Sequence, residues 1–295
     1  MRFARQYGWR AYAIPVLAVI TLWVLYDVVT HPIENSQSLI AQASQQQSNP
    51  DNTATSNAEQ GGENSRGAGP SPAGKQLPAL QATQLPNGGS FTVKGTGHYR
   101  TVGKPGAAAG QGTEKTFRYV IEIEEGINTA SYGGDDAFAA MVDATLTSVK
   151  GWTHDPRFRF EHIQASDGVE PDLRIQLTSV ETTHATCGTD IAMETSCFYA
   201  VGNRVVINES RWVRGATPFQ GDLGGYRHYL INHEVGHGIG FAQHAPCGGN
   251  GQLAPVMMQQ TMSLSNTELF AINPQETYKD DGFVCIANPW PYPHA

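Results

Sequence analysis

Hydrophobic and polar positions divide the chain into an apolar start, a long polar stretch and a patterned remainder. Phe117 to Glu124 alternates as Phe-Arg-Tyr-Val-Ile-Glu-Ile-Glu, a period of two that predicts a half-buried strand. From Asp135, an N-cap candidate, apolar residues from Ala137 through Val149 recur at helical spacing until Gly151, predicting an amphipathic helix. Shorter strands are expected at Arg157 to Ile163, Asp172 to Leu177 and Asn203 to Asn208. A second long helix runs from near Asp222, again a cap candidate, to about Gly240. This order of elements predicts an α+β fold: one mixed twisted sheet with two long helices, followed by an irregular tail.

Composition limits how much of the 295 residues can join that fold. Residues 31–90 hold no Phe, Trp or Tyr and are crowded with Ser, Gln, Asn, Gly and Pro, so they bury too little apolar surface to offset ordering entropy. They read as a disordered linker, which leaves residues 91–295 as the folded domain. Ahead of the linker, Arg2, Arg5 and Arg10 precede an apolar run from Ala11 to Tyr26, extended past Asp27 by Val28 and Val29. No small-x-small cleavage site closes the run, and its length approaches the about 20 residues that cross a bilayer. Residues 1–30 therefore read as a cytoplasmic N-terminus and an uncleaved single-pass signal-anchor in the cell membrane, with the folded domain extracellular because arginines stay on the cytoplasmic side.

Charge and cysteines refine this placement. Residues 1–90 carry five Lys/Arg and five Asp/Glu, so the remainder has 19 − 5 = 14 basic against 27 − 5 = 22 acidic groups and holds the whole net charge of −8. An acidic domain without a basic cluster excludes nucleic acid as the expected partner. All four cysteines lie in the folded part, and an even count outside the cell predicts disulfides. Three pairings are possible. The one expected joins Cys187 to Cys197 across a short turn region and Cys247 to Cys285 between the second helix and the tail. No C-x-x-C pair supports a cysteine metal site.

The chemistry centres on His233-Glu234-Val235-Gly236-His237. Positions i and i+4 share a helix face, so both imidazoles can reach one metal ion while Glu234 stands beside them. A chain with 10 His and 15 Glu among 295 residues yields only about 0.02 such matches by chance, which makes accident a poor account of it. At 100° per residue, Leu223, Tyr226, Leu230, His233, His237 and Phe241 form one stripe, so the metal would sit on the buried face at a cleft floor. Gly240 can turn the chain so that a later residue returns to the metal.

With the following histidine and Pro255-Val256-Met257-Met258, the motif resembles the metzincin clan of zinc peptidases, whose third histidine ligand precedes a Met-turn. More closely, residues from about 91 to 295 resemble an exported actinobacterial family of unknown function with a zincin-like core. The resembling stretches are 203–208, 229–237, 255–261 and Asn288-Pro-Trp-Pro-Tyr292. The metzincin pattern's third ligand would fall on Gln243, whereas the histidine here is His244. The resemblance thus implies Zn2+ held by His233, His237 and His244, with Glu268 as a substitute third ligand and Met257, or its neighbour Met258, as the Met-turn residue. It further implies hydrolysis of a peptide or protein substrate, or a cell-wall peptide, by a zinc-activated water with Glu234 as general base. Arg204 to Asn208 is the candidate edge strand for an extended peptide. The alternatives are a catalytically silent zinc-binding surface module and a cell-wall amidase. Nothing in the chain predicts an oligomeric state.

Overall fold

The computed structural model describes residues 21, 84–165, 168–189 and 193–295. All of the expected anchor but residue 21, and most of the linker, lie outside the described residues, among which no helix is long and apolar enough to cross a membrane. At the junction with the linker, the Arg214 side chain donates to the Gly89 carbonyl at 3.0 Å and its guanidinium lies 4.7 Å from the Phe91 ring centre.

One mixed sheet forms the centre. Its strands are β1 (Tyr99–Thr101), β2 (Ala108–Gly110), β3 (Lys115–Glu124), β4 (Phe158–His162), β5 (Leu173–Thr178), β6 (Cys197–Tyr199) and β7 (Arg204–Asn208). The spatial order is β2-β4-β3-β5-β7-β6, with β1 paired to the far half of β3. The middle four strands are parallel, while β1, β2 and β6 join antiparallel. Among residues 84–295 the described α-helices are α1 (Gly134–Leu146), α2 (Val180–Cys187), α3 (Glu209–Arg214), α4 (Leu223–Gly238) and α5 (Asn266–Ile272), so the two long ones are those expected from the pattern.

The sheet differs from the sequence reading in two ways that bear on function. Arg204 to Asn208 is an internal strand, parallel to β5 on one side, and the edge belongs to β6, a short strand that periodicity is too brief to reveal. The polar positions of β3 are also covered: Glu122 and Glu124 are 7% and 0% exposed, so the strand is not half-buried at that end. Glu122 is satisfied by Arg174 and Gln176 at 2.8 Å each, and Glu124 accepts from the Gly97 and Ser179 backbones and from Thr182. Buried carboxylates persist only with such partners.

The N-cap of helix α1 is Gly133, two residues before the expected Asp135, which sits in the first turn instead. The helix ends at Leu146, short of the exposed Val149, because the turn that Gly151 closes onto the Ser148 carbonyl starts there. Helix α4 does start at Asp222, whose carboxylate accepts from the Gly225 N–H at 2.8 Å and satisfies one orphan donor of the first turn. From Tyr229 to Gly236 every residue of α4 is buried, so the single apolar stripe read from the sequence widens to the whole circumference. The buried apolar residues of α4 belong to the main core, and a second, smaller cluster of Cys247, Ala254, Met258, Met262, Leu269, Tyr278 and Cys285 packs the C-terminal segment.

Both expected disulfides are present. Cys187–Cys197 ties the end of α2 to β6, and Cys247–Cys285 ties the segment after α4 to the tail.

Candidate metal centre

Helix α4 presents His233 and His237 from consecutive turns, with ring centres 4.9 Å apart. The helix then stops. Gly240 takes φ +111°, a left-handed backbone favoured by glycine, and the Phe241 N–H returns to the Gly236 carbonyl at 2.9 Å. This reversal leaves Gln243 exposed and turns His244 inward, with its ring 5.4 Å from His233 and 5.1 Å from His237. The extra residue relative to the metzincin spacing is taken up in the irregular turn. The Ala245 N–H then donates to the Met257 carbonyl at 3.0 Å, which pins the segment directly after His244.

Each of the three imidazoles has its Nδ1 engaged by an oxygen. His233 Nδ1 is 2.8 Å from the Val256 carbonyl, His237 Nδ1 is 2.8 Å from the Phe241 carbonyl and His244 Nδ1 is 3.1 Å from Glu276 Oε2. A carbonyl or carboxylate oxygen accepts, so Nδ1–H donates and Nε2 keeps its lone pair. Candidate ligand atoms of the three residues lie within 4.8 Å of one another, and this is the one such cluster of three or more among the described residues. Burial and the neighbouring imidazoles hold the pKa of His233 well below its ordinary value; burial and then His244 lower that of His237. The neutral imidazole is the ligating form. The donor set therefore fits a divalent metal ion, three nitrogens with an open side toward the cleft.

Glu234 lies beside the cluster, 5% exposed. Burial pushes its carboxyl up to about 8, offset in part by a hydrogen bond from the Phe198 backbone. A cation held by the imidazoles would draw it down again. Phe198 belongs to β6, so the sheet edge and the carboxylate meet in one cleft of about 500 Å³, lined also by Tyr229, His244, Thr261 and the Cys187–Cys197 disulfide.

Below the cluster, the chain from Ala254 to Met258 turns under α4. The Met258 N–H closes onto the Pro255 carbonyl at 2.9 Å, and Met257 is 6% exposed in the main core. The turn is locked to the tail by reciprocal bonds: the Gln260 side chain donates to the Asn288 carbonyl and accepts from its N–H, both at 2.9 Å. Asn288 in turn donates to the Ala254 carbonyl at 2.9 Å. Trp152 donates from its indole nitrogen to the Asn232 carbonyl at 2.9 Å, a further tie on α4.

The structure brings together His233, Glu234, His237 and His244, with Met257 beneath the helix. It does not bring in Glu268, whose carboxylate is hydrogen-bonded to Ser263 at the start of α5 and stands outside the cluster. Sequence reasoning missed Glu276, Tyr278 and Phe198. The first two follow a short helix with no motif; Phe198 carried only the signal of standing next to Cys197.

Fold and cluster define a mixed α/β domain with a candidate three-histidine metal centre. The chain belongs to the family described as "Protein of unknown function (DUF3152)", whose profile matches residues 85–293. Neither a curated protein nor a solved structure matches it.

Proposed function

We propose that this chain is a membrane-anchored extracellular zinc metallopeptidase with a zincin-like domain, in which His233, His237 and His244 hold Zn2+. The observation that carries the reading is the convergence of three imidazoles, each with Nδ1 spent on an oxygen, beside a buried glutamate in an open cleft. When bound there, zinc supplies Lewis acidity, polarising a carbonyl and acidifying a water molecule.

The protein's own groups do the rest. Glu234 takes the proton of the attacking water as general base and passes it to the leaving amine nitrogen as general acid, so no second proton carrier is needed. The Phe198 hydrogen bond holds its carboxylate in place for both transfers. β6 is the edge strand of the sheet; its Phe198 N–H is taken by Glu234, and an extended peptide can run along the rest of this edge as an added strand that crosses the cluster. Edge pairing recognises backbone, which suits a protein or peptide substrate. Glu234 favours catalysis over a silent zinc module, since a purely structural site needs no general base.

Metal content of the purified full-length protein and of His244→Ala, measured by elemental analysis together with cleavage of a quenched peptide library, tests the reading. One zinc per chain, lost in the variant, and cleavage abolished by Glu234→Gln with zinc retained, are the expected results. A wild-type protein that takes up no zinc at neutral pH, or a Glu234→Gln variant of full activity, overturns it.

A further inference from the structure

Two of the three histidines are placed by helix α4 and bond their Nδ1–H to backbone carbonyls within the fold. His244 is different in both respects. It comes from an irregular turn, one residue later than the metzincin spacing, and its Nδ1–H is taken by a carboxylate, Glu276 Oε2 at 3.1 Å. Among the described residues the ion-pair partner of Glu276 is His244, with no lysine or arginine in salt-bridge range.

The setting of Glu276 supports a dedicated task. Its segment follows α5, where the Glu276 N–H closes onto the Asn273 carbonyl at 3.2 Å. Two residues on, Tyr278 stacks along His244 with an interplanar angle of 20° and accepts the Gln259 N–H at 3.0 Å. The His244 ring is also nearly parallel to that of His233, at 11° with ring centres 5.4 Å apart. The two rings fix the plane of the His244 imidazole, and Glu276 fixes its rotation within that plane so that Nε2, and not Nδ1, faces the cluster. A carboxylate acceptor does more than a carbonyl: it makes a stronger, charge-assisted hydrogen bond and would offset part of the charge of a bound dication.

We propose that Glu276 is the positioning residue that makes His244 a metal ligand. The inference rests on the zinc reading above but concerns a residue outside the motif. It assigns the small C-terminal cluster, through Tyr278 and Glu276, the task of delivering the third nitrogen that the helix cannot supply.

The test compares full-length wild type, Glu276→Gln and Glu276→Ala by zinc competition against a chromogenic chelator, and by the visible spectrum after Co2+ is substituted for zinc. Far-UV circular dichroism of the metal-free forms monitors folding, and Glu268→Gln serves as a control carboxylate outside the cluster. Alanine is expected to weaken zinc about 10–100-fold and to change the Co2+ bands. Glutamine keeps an acceptor oxygen without the charge, so it should restore the wild-type spectrum with an intermediate affinity. The Glu268 control should match wild type. An alanine variant with wild-type affinity and spectrum overturns the role of Glu276 while leaving the zinc centre standing. Should alanine fail to fold, glutamine decides, and affinity equal to wild type overturns the proposal. Failure of the wild type to bind either metal overturns both this inference and the zinc reading.

Discussion

Met257 Sδ occupies the space above Gly236 that a Cβ on that residue would need, and Trp152 Cζ2 would stand 2.9 Å from the same atom. Gly236 lies between the two histidines of α4, so the absence of a side chain there lets the methionine turn close under the helix. Gly236→Ala should force the wall apart at a cost of about 1–3 kcal/mol, the usual range for overpacking. The displacement would carry Val256, whose carbonyl holds His233 Nδ1. Thermal melts are expected to show a lower midpoint, and zinc competition a weaker site. In combination with Met257→Ala the two losses should be less than additive, because removing the sulfur relieves the collision. Full additivity would show that the two residues do not share this space.

The reciprocal bonds between Gln260 and Asn288 make a second claim on the same turn. Gln260 is 0% exposed, so Gln260→Ala leaves the Asn288 N–H and carbonyl without their partner where water has little access. A stranded buried polar group costs about 1–3 kcal/mol. Urea denaturation should therefore show a loss of at least that size. Zinc release into excess chelator should be faster too, because the turn that carries Val256 is no longer tied to the tail. Unchanged release would place Gln260 in the stability of the tail alone.

These two contacts also show what the sequence could and could not convey. His233, Glu234 and His237 were legible because a helix converts spacing into facing by its own geometry. The Asp222 cap and the Gly240 reversal were legible for the same local reason. The disulfide pairs were legible because Cys187 and Cys197 stand close enough to close a short loop through a turn region, which leaves Cys247 for Cys285. What stayed hidden depends on chain segments far apart. Glu276 meets His244 across 32 positions, Asn288 meets Gln260 across 28, and Trp152 meets Asn232 across 80. The mistaken edge strand has a like cause: β7 carries the clear apolar pattern, whereas β6 has three residues and acquires its position from the Cys187–Cys197 bond and from pairing with β7. Glu122 and Glu124 alternated correctly but did not face water, since Arg174, Gln176, Ser179 and Thr182 cover them.

The two disulfides should separate metal binding from substrate binding. Cys247–Cys285 sits in the small C-terminal cluster together with Tyr278, on the side that holds His244. Replacing both cysteines by alanine should cost about 2–4 kcal/mol and weaken zinc. Cys187–Cys197 instead fastens the edge strand beside the cleft. Its removal should leave zinc content near one per chain while raising KM for peptide cleavage, because the strand on which the substrate pairs is less ordered. Equal effects of both double variants on zinc affinity would refute this division.

Acid should expose a contact remote from the metal. Arg100 donates to both oxygens of Asp135, at 2.9 and 3.0 Å, and holds that carboxyl below its ordinary value of 3.8, with a further hydrogen bond from Thr129 acting in the same direction against burial. The charged form is thus favoured by folding. A carboxylate whose pKa is depressed in the folded state adds stability that is fully present above its unfolded value and is lost as pH falls through the folded one. Asp135→Asn should therefore be less stable than wild type at pH 6, and the gap should begin to close as pH drops below about 4, the unfolded aspartate value. Because the pair ties β1 to the first turn of α1, away from His233, zinc content at neutral pH should not change. Urea melts of both proteins from pH 6 to pH 3 check the first point and elemental analysis the second. A gap constant across that range would mean that the Asp135 side chain acts by shape and hydrogen bonding without its charge.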